Sequence, residues 1–159
     1  FSKDGREEIK GITKLAKLDF LLRYPLYLER ALKAIGKELK TNGELKDYER
    51  QSVESKMVRF KYGPWDFRYR KFLNLLIGKG LINIRTDRNA IMIAITEKGL
   101  KVYRDLKESN AQADFFERAR VLRINFNMGG TRLKNFIYQT FPEIGSLNFG
   151  QEIDYGDKI

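Results

Sequence analysis

The chain has 159 residues, with 31 Lys and Arg against 21 Asp and Glu, for a net charge of +10. It contains no Cys and no His, which removes disulfides, thiolate nucleophiles, and the commonest general base and zinc ligand. At 42% hydrophobic and 13% aromatic residues it can bury a core, and no apolar run approaches the ~20 residues of a membrane span, so a soluble cytoplasmic protein attracted to polyanions is expected.

Residues 8–23 carry Ile12, Leu15, Leu18 or Asp19, and Leu22 at helical spacing. Pro25 suits the first turn of a second helix, at about 26–40, with Leu28, Leu32, Ile35 and Leu39 as its apolar stripe. Thr41-Asn42-Gly43 stops it, and a weaker polar helix is expected over 45–56.

The stretch MVRFKYGPWDFRYRKFLNLL, residues 57–76, mixes cations with aromatics. Pro64 after Gly63 predicts a new helix start. At about 100° per residue, Trp65, Tyr69, Phe72, Leu73, Leu75 and Leu76 share one side, and Phe67, Arg70, Lys71 and Asn74 share the other. The aromatics then belong mostly to a core face rather than to a stacking platform. Gly78-Lys79-Gly80 ends the helix. Alternating Ile82 and Ile84, then Ile91, Ile93 and Ile95, predict a hairpin with Arg85 and Arg88 near its tip. Thr96 is a suitable N-cap for a helix over about 97–108, with Leu100, Tyr103 and Leu106 facing inward.

Residues 111–126 predict another helix, buried through Phe115 or Phe116, Ala119, Leu122 and Phe126, with Arg118, Arg120 and Arg123 on its other faces. Residues 128–131 break it, and a short helix over 132–140 buries Leu133, Phe136 and Ile137 until Pro142 ends it. The remainder reads as an extended acidic tail with isolated anchors. A basic segment, 56–71, and an acidic one, 142–159, suggest two contact surfaces, or a tail that shields the basic one.

Helix, Gly, Leu-Ile, hairpin, then Thr-x-x-Gly opening a helix is the order of a winged helix. The expected fold is mainly α with a small β-hairpin: a winged helix-turn-helix core plus a C-terminal helical module. The expected domains are 8–108, 109–144 and an extended docking tail at 145–159. Acidic pairs such as Glu7–Glu8 and Asp47–Glu49 lack a partner set, and Gly129-Gly130-Thr131 lacks the spacing of a phosphate loop. No enzyme, cofactor or metal is expected. In winged helices the third helix enters the major groove and the wing reaches nearby backbone. DNA-binding candidates are therefore Lys61, Arg68, Arg70, Lys71, Asn74, Arg85 and Arg88. Phe67, placed among them, suits a protein contact better than base reading. Arg132, Phe149, Ile153 and Tyr155 complete the candidate partner-binding set.

RFKYGPWDFRYRKFLNLLIGKGL (59–81), TEKG (96–99), GGTRLKNFIYQTFPE (129–143), FGQEI (149–153) and LDFLLRYPLYLERAL (18–32) together resemble one family. It is the small winged-helix accessory subunit of bacterial ABC-ATPase three-component defence systems, of which the Lamassu anti-phage system is one. The chain departs from that family's pattern at Phe67 and Phe149, where the pattern has His and Trp. The resemblance implies a non-catalytic subunit, similar to kleisin-associated proteins. It would bridge an SMC-like coiled-coil ATPase and an effector nuclease, with DNA contacted directly or through the complex. It implies structural roles for Gly63 to Asp66, Arg68 to Arg70 and Thr131 to Leu133, and a docking role for the tail. The alternative is a winged-helix transcriptional regulator binding operator DNA. That would normally dimerise, and the chain has no long heptad helix for an obligate homodimer.

Overall fold

A computed structural model describes residues 7–38, 55–109 and 112–154. Among them the chain is mostly helical, with seven helices and small antiparallel sheets. The chain divides into two compact units, each built from two segments: Phe1–Leu15 with Phe67–Asn127, and Ala16–Asp66 with Met128–Ile159. Neither coincides with the continuous stretches 8–108, 109–144 and 145–159. The first unit holds 17 Lys and Arg against 9 Asp and Glu, a balance of +8, and the second 14 against 12, or +2. They are called here the basic unit and the aromatic unit.

The aromatic unit holds most of the buried apolar side chains. It contains most of α1 (Ile12–Arg23), all of α2 (Pro25–Ala34), the strands β2 (Val58–Phe60) and β3 (Gly63–Trp65), and the two helices that follow residue 128. Pro25 opens α2 as expected, because the missing N–H has no partner in a first turn anyway. The helix ends earlier than the sequence suggests, at Ala34, and Gly36 just past its cap has φ 70°. Ile35 is exposed, and Leu39 and the helix expected at 45–56 lie outside the described residues, except for non-helical Ser55 and Lys56. Phe20, Tyr24 and Tyr27 form a ring cluster with Phe141, at centroid separations of 4.9–6.2 Å. Leu28, Leu32, Leu133, Ile137 and Ile144 are also buried.

Gly63-Pro64-Trp65 does not start a helix. It is β3, paired antiparallel with β2 in the register Val58–Trp65, Arg59–Pro64 and Phe60–Gly63. Gly63 supplies φ 120° after the two-residue turn. Pro64 fits an edge strand, where it owes no N–H to a neighbour.

In the basic unit, β1 (Ile9–Lys10), β4 (Ile82–Asp87) and β5 (Ala90–Ile95) form an antiparallel sheet in the order β1-β5-β4. The register puts Ile82, Ile84, Ile91, Ile93, Ile95 and Ile9 on one face. This is the hairpin the alternation predicts. The helix α3 (Tyr69–Gly78) packs by β4, and α4 (Glu97–Glu108) and α5 (Ala113–Phe126) follow.

Thr96 caps α4: its Oγ1 accepts from the Gly99 N–H at 3.0 Å and donates to the Gly80 carbonyl at 2.7 Å. Leu100 is buried, but Tyr103 and Leu106 are exposed, contrary to their expected inward position. The apolar arc of α4 is wider than the surface its unit offers to cover it. In α5, Leu122 and Phe126 are buried as expected. Phe115 is exposed, and Arg118, expected outside, is buried.

The helix α6 (Gly130–Thr140) opens on the glycines expected to break α5. Pro142 does not simply end it. It starts the short helix α7 (Pro142–Ser146).

Candidate functional site

Ten residues of α3 carry the centre of the predicted surface. Tyr69 and Leu73, four apart, are its buried contacts. Arg70, Lys71 and Asn74 are exposed, as expected. Phe72 and Leu75 are exposed too, Leu75 to 56%, although their side of the helix reads as core. The reason lies in angle: apolar side chains occupy more than half the circumference of α3, and only Tyr69 and Leu73 among them are buried. That excess width is the signal in the sequence that part of the helix is left uncovered. Arg68, just before α3, lays its guanidinium 5.2 Å from the Phe72 ring centroid. Phe67 lies in the preceding turn and is 65% exposed.

The hairpin places its two arginines differently. Arg88 occupies the tip with φ 54°, an uncommon value for a non-glycine residue. Arg85 forms a two-pronged pair with Glu8, with Nε to Oε1 at 2.9 Å. The arginine's hydrogen bond holds the Glu8 carboxyl below its usual range and raises the Arg85 guanidinium in turn. Sequence reasoning missed Glu8, which is 77 residues from its partner and lies beside a two-residue strand.

The other candidates belong to the aromatic unit. Lys61 is exposed in the β2–β3 turn, 5.5 Å from the Tyr62 ring. Arg132 is exposed on the first turn of α6. Phe149 is 67% exposed, edge-on to Phe60 at 6.5 Å and under the Arg59 guanidinium at 4.0 Å. Ile153 is only 1% exposed, so its expected role as a partner anchor is corrected: it is a core residue of its own unit. Its N–H donates to the Met57 carbonyl at 2.8 Å, and its carbonyl accepts from the Tyr24 hydroxyl at 3.2 Å. Arg59 and Gly150–Gln151 exchange backbone hydrogen bonds, and Val58 bridges Glu152. The tail thus runs beside β2, while Lys56 pairs with Glu152 and Asp154 at 3.5 and 2.9 Å. Hydrogen bonding to Asp154 raises the Lys56 pKa. The acidic tail therefore pairs with Lys56 of its own unit. Tyr155 lies outside the described residues.

Several segments singled out in the sequence have local structural work. Asp66, after Trp65, pairs with Arg23 at 2.9 Å. Glu143, after Pro142, pairs with Arg30 at 2.5 Å, and the Arg30 guanidinium sits over the Tyr27 and Phe141 rings at 5.2 and 4.9 Å. Burial pushes the Tyr27 hydroxyl up to about 12. Lys17 is buried, and desolvation, aided by Lys134, lowers it to about 8.

Among the described residues, no group of three acidic or other metal-ligating side chains could hold a metal ion, and no helix is long and apolar enough to cross a membrane. No protein-family model, curated protein or solved structure matches the chain.

Proposed function

We propose that the chain is a non-catalytic subunit of a cytoplasmic anti-phage or anti-plasmid defence complex, where it holds an SMC-like coiled-coil ATPase and an effector nuclease together. One observation carries this reading. Among the described residues, eleven large apolar side chains are exposed in the basic unit, against six apolar residues buried there. The aromatic unit has the opposite balance, four exposed and fifteen buried. Apolar exposure on that scale marks a surface that a partner covers. The resemblance of its motifs to accessory subunits of such complexes supplies the identity of the partners.

In this reading α3, the β4–β5 hairpin and α4 serve as the third helix, wing and following helix of a winged helix. DNA contact is secondary and uses Arg70, Lys71 and Arg88, with Arg85 already engaged by Glu8. The test is a pull-down of the tagged chain expressed with its whole native operon, read by mass spectrometry. Recovery of a large coiled-coil ATPase and a nuclease is the expected result. Recovery of the chain alone, as a dimer that binds operator DNA, overturns it.

A further inference from the structure

Arg68 and Lys79 cap α3 in helical backbone geometry, and with Phe72 and Leu75 between them they follow at intervals of four, three and four residues. That spacing draws a continuous seam along one side of a helix, as in a coiled coil. Lys71 flanks it, one turn before Leu75. The seam lies beside the Arg70–Asn74 side of the helix and shares Arg68 and Lys71 with the set expected to meet DNA. Its apolar members, Phe72 and Leu75, are exposed, and the Arg68 guanidinium rests on the Phe72 ring at one end. At the other end Lys98 Nζ donates to the Lys79 carbonyl at 2.8 Å, adding another cation.

Along the chain from Phe67 to Thr86, between Asp66 and Asp87, there are five basic residues and no acidic one. Two exposed apolar side chains between cations, with the spacing of a helix-pairing seam, suit one kind of occupant. We propose that this face of α3 docks an amphipathic helix of a partner protein, one that places apolar residues over Phe72 and Leu75 and acidic residues opposite Arg68, Lys71 and Lys79. Duplex DNA fits less well, because the aliphatic Leu75 at the seam's middle gives phosphate nothing to bind. The inference rests on the subunit reading above and names the chemistry of one of its contacts.

The probe is a fluorescein-labelled helical peptide of about three heptads, with Leu at the two core positions and Glu at the flanking ones. A second peptide has Lys in place of Glu. Binding to the full chain is followed by anisotropy. The acidic peptide is expected to bind saturably and to weaken at least about tenfold with Leu75→Glu. It should weaken similarly with Lys79→Glu, and should not respond to Ile124→Ser, an exposed apolar site elsewhere in the unit. Circular dichroism checks that each variant is folded, and Lys79→Glu alone decides if Leu75→Glu is not.

Equal binding of the Lys peptide overturns the proposal. So does no saturation by about 1 mM, or binding indifferent to both seam variants. Self-association of the chain that Leu75→Glu abolishes would assign the seam to a second copy and overturn it too. Duplex DNA or anionic vesicles captured through Phe72 and Leu75 would do the same. If the wild-type chain still recovers the ATPase and nuclease while the peptide fails, the seam assignment falls and the subunit reading stands. If the wild type recovers neither, the subunit reading falls regardless of the peptide.

Discussion

Arg23 donates from its guanidinium to Oδ2 of Asp66 at 2.9 Å, and Asp66 is only 5% exposed. The same arginine pairs with Asp19 one turn earlier and donates to the Ser55 carbonyl at 3.1 Å. One side chain thus ties α1 to the chain before β2 and after β3. Removing the carboxylate leaves Arg23 partly buried with one fewer acceptor. Asp66→Ala should cost about 2–4 kcal/mol of stability, read as a lowered urea midpoint. The slope should not change.

The Tyr24 hydroxyl accepts from the Met57 N–H at 2.7 Å and donates to the Ile153 carbonyl at 3.2 Å. It joins the junction between α1 and α2 to the residue before β2 and to the tail. Tyr24→Phe keeps the ring contacts and strands two buried backbone groups. A loss of about 1–3 kcal/mol is expected, with faster amide hydrogen exchange at Met57. Unchanged exchange there would show that the hydroxyl is not what holds the tail.

A Cβ at Gly99 would lie 2.1 Å from the Leu81 carbonyl oxygen. The backbone there has little freedom, because the Thr96 N–H donates to that same oxygen at 3.0 Å. Gly99→Ala should therefore destabilise the basic unit by about 2–4 kcal/mol. Ala is the better helix former, so a neutral or stabilising result in thermal unfolding would contradict the close approach.

Lys17 gives a pH signature. Its pKa falls to about 8 in the folded chain, against about 10.4 when unfolded. Below about pH 8 both states are charged, and the folding penalty is fully present. Between about pH 8 and 10.4 the unfolded state binds more protons, so stability rises with pH as the penalty is relieved. Lys17→Met removes the penalty at all pH. Its stability gain over wild type should shrink by about 3 kcal/mol across that window, measured by denaturant titration at pH 7.5 and 10.5.

The sequence made some of this legible, and physical reasons explain the rest. Alternating isoleucines and Thr96 predict β4, β5 and the start of α4, because period and capping are local signals. Pro64 misleads because proline suits both a helix's first turn and an edge strand. What decides is Val58–Phe60, a partner several residues away. Tail placement depends on Met57 and Tyr24, far from Ile153 in sequence, so its burial could not be read from the tail's composition. Leu75, Tyr103 and Leu106 were expected inside because periodicity tells which way a face points. It does not tell whether anything in the same chain covers it.

A partner docked on the basic unit must protect its backbone amides. The most direct measurement is hydrogen exchange of this chain, alone and in the assembly purified from its complete operon. Added protection over Phe67–Lys79 in the assembly is predicted. Exchange there that is the same in both states, or no assembly to purify, would contradict it.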